Sequence, residues 1–123
     1  MTGSGTERTP LLIVDGANVV GSVPDGWWRD RRGAAERLRD RLARRGAGEE
    51  IVLVVEGAAR GVESVPGVRV DPAPGSGDDR IVELVAALEG RPCVVVTADR
   101  ELRARVRAYG AGCAGPRTVR PAD

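Results

Sequence analysis

Histidine and lysine are both missing from this sequence, and all 19 basic residues are arginine. Without histidine there is no Ser-His-Asp or Cys-His catalysis, no imidazole acid or base, and no histidine-ligated zinc. Without lysine there is no Schiff base and no P-loop ammonium. The two cysteines, Cys93 and Cys113, lack metal-ligand spacing and read as reduced packing residues. Formal net charge is only +1, so any polyanion-binding surface has to come from local clustering of arginine. No apolar run is long enough to span a bilayer, and MTGSGTERTP at the start has no signal-peptide core. A cytoplasmic location with no membrane partner is expected. At 123 residues and 41% hydrophobic content, the chain suits one core and one active site. The domain is expected over residues 10–115, with tails at 1–9 and 116–123.

Three continuous apolar runs rich in β-branched residues, 11–14 (LLIV), 51–55 (IVLVV) and 93–96 (CVVV), have the character of strands covered on both faces. Val68 to Val70 suggests an edge strand and Ala111–Ala114 a fifth. Helical stripes lie between them: Ala34, Ala35, Leu38 and Leu42, ended by Gly46; Ile81, Val85 and Leu88; and Leu102, Val106 and Tyr109, stopped by Gly110. Strands alternating with helices predict an α/β fold around a mostly parallel sheet of four or five strands. The segment from Val20 to Gly33 reads as a loop carrying Trp27 and Trp28, and residues 57–77 as a long Gly/Pro/Ser-rich connection.

Acidic residues stand at the ends of the apolar runs. Asp15 closes LLIVD, Glu56 closes IVLVVE, and Asp99 lies just beyond CVVVT, while Asp78 and Asp79 open a helix after a Gly-rich loop. Parallel strands would bring Asp15, Glu56 and Asp99 to one sheet edge, the edge at which open α/β sheets bind ligands. Asp78 and Asp79 depend on their loop to reach it. Each acid alone has a plainer role as a turn former or helix cap, and Thr97 would serve as a cap equally well. Carboxylates gathered together raise one another's pKa until a cation neutralises them. The fitting cation is Mg²⁺ or Mn²⁺, held by one or two carboxylates and several waters while touching phosphate oxygens. Such an ion generates hydroxide and stabilises a transferring phosphoryl group without histidine or lysine, so phosphodiester hydrolysis is the reaction class that fits.

The segments LLIVDGANVVGS (11–22), IVLVVEG (51–57), GSGDDRIVELV (75–85) and VVVTADREL (94–102) resemble, in order, the conserved blocks of PIN-like nucleases. The likeness is greatest to the NYN branch and its YacP-like bacterial members, and it covers roughly residues 10–115. It implies a three-layer α/β/α sandwich and a metal-dependent ribonuclease using Mg²⁺ or Mn²⁺. By position it makes Asp15, Asp78 and Asp99 the metal ligands, Asp79 an auxiliary, and Asn18 a group that orients Asp15 or touches substrate. Thr97 would bind through its hydroxyl or support the cluster. Glu56 stands where the YacP-like members tend to carry an aspartate, which gives it an auxiliary place. From the residues alone, Gly16 permits a sharp exit from the strand, and Asn18 either points back toward Asp15 or is a plain turn asparagine.

Eight arginines between Arg29 and Arg45 face only Asp30, Glu36 and Asp40. Over 34–45 two readings are open: phosphate contacts, or a solvated amphipathic helix with intrahelical ion pairs. Arg29, Arg31 and Arg32 adjoin the tryptophan pair, where Trp27 or Trp28 would stack on an unpaired base while the other packs inward. Arg100 is the arginine nearest the carboxylates. RNA, single-stranded or structured, is the expected substrate, with specificity supplied by a partner such as the ribosome or by oligomerisation. Two other functions fit the same residues: a noncatalytic RNA-binding module, and a metal-dependent nucleotide phosphohydrolase.

Overall fold

The computed structural model describes residues 10–45 and 48–120. Five parallel strands form one sheet in the order β3-β2-β1-β4-β5: β1 (Leu11–Asp15), β2 (Glu50–Val55), β3 (Val68–Pro72), β4 (Cys93–Val96) and β5 (Gly112–Ala114). Leu11 is in register with Glu50 on one side and Cys93 on the other, so β1 is central. The helices are α1 (Gly16–Gly21), α2 (Arg31–Ala43), α3 (Gly77–Ala87) and α4 (Arg100–Arg107).

Strand side chains alternate between the two faces of the sheet. Leu12, Val14, Leu53 and Val55 therefore pack with Val19 and Val20 of α1 and Leu38 and Leu42 of α2. Leu11, Ile13, Val52 and Val54 pack with Ile81 and Val85 of α3 and Leu102 and Val106 of α4. Helices on both faces make the expected three-layer α/β/α sandwich, and burial on both faces explains why the strands are continuous apolar runs. Successive strands lead outward from β1 to β3 and then resume on its other side at β4. The reversal places the crevice of the open sheet between the C-terminal ends of β1 and β4.

Several local expectations change. The Trp27–Arg29 segment is a 3₁₀ turn and α2 begins at Arg31, because the Asp30 carboxylate caps the helix by accepting from Gly33 N–H at 2.9 Å. Arg31 and Arg32 are thus helical. Tyr109 lies beyond the end of α4 and is 54% exposed, so it does not extend that helix's apolar stripe. Residues 116–120 are no free tail: Pro116–Thr118 form a 3₁₀ turn, Val119 is 2% exposed in the α1–α2 core, and Arg120 donates to Val20 O at 3.1 Å. Gly46 and the expected tail at 1–9 lie outside the described residues. Among the described residues, no helix is long and apolar enough to cross a membrane.

Candidate functional site

Asp15 ends β1 and caps α1, with Asn18 N–H 3.4 Å from its Oδ1. It is 4% exposed, and Gly16 behind it has no room for a side chain, since a Cβ there would meet Val54 O at 2.6 Å. The Thr97 hydroxyl donates to Asp15 Oδ2 at 2.9 Å and accepts from Asp99 N–H at 3.1 Å. One hydroxyl thereby joins the end of β1 to the start of α4, where Asp99 Oδ1 accepts from Leu102 N–H at 3.0 Å. Asn18 completes the closure, its Oδ1 accepting from Ala98 N–H at 2.9 Å. Arg103 Nε donates to the Thr97 carbonyl at 2.7 Å and holds the threonine from the other side.

Burial raises the Asp15 pKa to about 6, the hydrogen bonds from Thr97 and Asn18 offset part of that rise, and the charges of Asp78 and Glu56 add to it. The Asp78 pKa is raised by desolvation and then by Asp99 and Glu56, with Arg105 opposing. The carboxyl of Glu56 lies against the first turn of α3, where a Cβ on Gly77 would be 3.2 Å from its Oε1. Asp15, Glu56, Asp78 and Asp99 therefore form a linked electrostatic group drawn from three strand ends and one helix start.

Ser76, rather than either aspartate, caps α3 by accepting from Asp79 N–H at 3.2 Å, which leaves the Asp78 side chain without a capping role. Asp79 is exposed and pairs with Arg105 at 3.0 Å. Thr97 is fully buried with its hydroxyl engaged on both sides, so it supports the carboxylates and is not a surface for substrate. Arg32 turns to Glu36 at 3.7 Å and Gly61 O at 3.4 Å. Arg29 lies over the Trp28 ring at 5.8 Å, and Arg100 is exposed on the first turn of α4. Trp27 packs partly into the α1–α2 core while Trp28 is 51% exposed. Trp27 also lines a cavity of about 360 Å³ with Gly16, Val20, Arg31 and Glu56.

Three residues take parts that the sequence alone does not assign them. Arg103 and Arg105 look like surface charges of an amphipathic helix, and only the packing of α4 beside α3 and β4 turns them toward Thr97 and Asp79. Asp71, 5% exposed, lies in a Pro/Gly-rich stretch, yet it ends in β3 and accepts from Arg80 at 2.8 and 3.0 Å.

The donors at this edge are hard carboxylate oxygens, with no histidine or thiolate among them. That set suits Mg²⁺ or Mn²⁺ over softer metals. Among the described residues, no three carboxylates stand close enough to form one ligand group. Mg²⁺ asks for fewer, being held by one or two carboxylates and completing its shell with water.

No protein-family model matches the chain, and no curated protein matches it. A solved structure does: that of a mutant of Rae1 (YacP) from Bacillus subtilis, at 23% identity and a TM-score of 0.66, over 87% of this chain and 69% of that one. The acidic edge is therefore carried on a fold similar to that of Rae1 (YacP).

Proposed function

We propose that this protein is a Mg²⁺- or Mn²⁺-dependent endoribonuclease of the PIN-like class, NYN branch, acting on RNA alone or within a ribonucleoprotein such as the ribosome. The observation that carries the reading is the buried Asp15, joined through one Thr97 hydroxyl to Asp99 at the switch point of the sheet. Asp15, Asp78 and Asp99 would hold the cation, in part through its waters, with Glu56 and Asp79 beside them. When bound, the ion supplies an activated water and takes up charge on the phosphate.

The chain's own residues prepare that site. Thr97 fixes the Asp15 carboxylate, and Asn18 fixes the peptide between Thr97 and Asp99. With a pKa of about 6, Asp15 holds a proton more readily than an ordinary aspartate and gives it up as a cation binds. The test is cleavage of end-labelled RNA with Mn²⁺ and with EDTA, nucleoside triphosphates serving as competing substrates. Metal-dependent internal cleavage, lost in Asp15→Asn, is expected; preferential turnover of the triphosphates would assign the site to a nucleotide phosphohydrolase instead.

A second reading is favoured by the absence of a ready three-carboxylate group among the described residues. It makes the protein a noncatalytic RNA-binding module, which binds RNA equally well in EDTA and cleaves none.

A further inference from the structure

Most arginines of α2 are exposed, but only some of them are engaged in ion pairs on the helix. Its intrahelical ion pairs are Arg32 with Glu36 at 3.7 Å and Arg39 with Asp40 at 3.0 Å. Arg37, Arg41 and Arg44 take part in neither, and among the described residues their side chains make no ion pair or hydrogen bond. They follow one another at helical spacing and, with Arg120, wall a cavity of about 320 Å³. Two carboxylates, Asp25 and Asp40, also line it, but Asp25 is paired with Arg120 and Asp40 with Arg39. Like charges at i, i+4 destabilise a helix. Three of them around a concavity, with the nearby acids already engaged, suit an anionic ligand with repeated charges.

A second cavity, of about 400 Å³, adjoins the first at Arg120. Arg120 lines both, and the second also includes Arg117, Gly115 and Ala98. Ala98 lies between Thr97 and Asp99, and its N–H is the group held by Asn18. Arg120 is fixed at the junction by its bonds to Val20 O and Asp25, and by the burial of Val119 next to it. The two cavities, sharing Arg120, thus form a basic trough between Ala98 and the C-terminal half of α2.

We propose that this trough binds the phosphodiester backbone of single-stranded RNA, with Arg37, Arg41 and Arg44 contacting phosphates outside the cleavage site. The proposal rests on the ribonuclease reading for its choice of polyanion, but its test does not depend on cleavage. Arg37 to Arg44 span about 10 Å along the helix axis, so they serve neighbouring phosphates of one strand rather than a single ion.

The experiment measures binding of a fluorescein-labelled, unstructured oligoribonucleotide in EDTA across a salt series. It compares the wild type, a triple variant Arg37→Gln, Arg41→Gln, Arg44→Gln, and a control triple Arg69→Gln, Arg91→Gln, Arg107→Gln. The control loses the same charge from three separate places, on β3, just before β4 and at the end of α4, and circular dichroism verifies that all three proteins are folded. The α2 triple is expected to bind roughly tenfold or more weakly at about 0.1 M salt, with a slope of log K against log salt shallower by about 2. The control is expected to track the wild type. Equal losses in both triples, an α2 triple that binds like the wild type, or a wild type that binds no RNA would each overturn the proposal. A wild type that binds through the trough yet cleaves no RNA with Mn²⁺ would uphold the trough and refute the nuclease.

Discussion

Thr97 and Asp15, 82 positions apart, are joined by a 2.9 Å hydrogen bond from the threonine hydroxyl to the carboxylate. Because the same hydroxyl accepts from Asp99 N–H, its removal orphans a buried acceptor and a donor together. Thr97→Val keeps the shape and should cost about 1–3 kcal/mol in urea denaturation. Thr97→Ser should recover most of that stability, together with RNA cleavage. Equal stability of the valine and serine variants would show that the bond contributes nothing.

The buried charge of Asp15 predicts a pH dependence. Its native pKa of about 6 lies above the ordinary 3.8, so the folded state binds this proton more tightly than the unfolded chain. The resulting stabilisation is complete below about pH 4 and is lost as pH rises through about 6, amounting to at most about 3 kcal/mol. In EDTA, wild type measured against Asp15→Asn should therefore lose ground between pH 4 and 7. A stability difference that stays flat over that range would contradict the burial argument.

Asp71 has the opposite sign. The bonds from Arg80 hold its carboxyl below the usual range despite burial, so its contribution is present above about pH 4 and is lost as pH falls through the depressed native value. Arg80→Met leaves the carboxylate with only the exposed Arg69, at 3.2 Å. The expected cost is about 3 kcal/mol at neutral pH. Adding Asp71→Asn should return part of it, as a double-mutant cycle will reveal.

Two glycines beside the site should respond differently to alanine. At Gly16 the new Cβ would meet backbone, Val54 O at 2.6 Å, and a loss of about 1–3 kcal/mol is expected. At Gly77 it would meet Glu56 Oε1 at 3.2 Å, the mobile tip of a side chain. Alanine also favours the helix there, so stability should hardly change. Denaturant midpoints for the two variants check the contrast.

The layout of the sheet was legible in the sequence because strands buried on both faces must be apolar throughout, as LLIV, IVLVV and CVVV are. The place of Asp15 and Asp99 followed from strand direction alone. What remained hidden depends on contacts distant in sequence. The role of Thr97 rests on a partner in another strand, and the pairing of Arg105 with Asp79 on the packing of α4 beside α3. Val119 looks like part of a polar tail until the α1–α2 core closes over it. The start of α2 is hidden because its first turn, Arg31 to Gly33, carries no apolar stripe and its cap, Asp30, stands among arginines. On α2, composition left phosphate contacts and intrahelical pairs equally open, and the pairs actually formed leave Arg37, Arg41 and Arg44 out.

The central claim is that carboxylates organised around Asp15 hold a divalent cation. Calorimetric titration of Mn²⁺ into metal-free wild type and Asp15→Asn tests it most directly, with thermal denaturation of both proteins in parallel. The wild type should bind Mn²⁺, release protons near pH 6, and melt at a higher temperature as metal is added. Asp15→Asn should do none of these while remaining folded. Mn²⁺ binding that is equal in the two proteins, or undetectable in the wild type, would contradict the account.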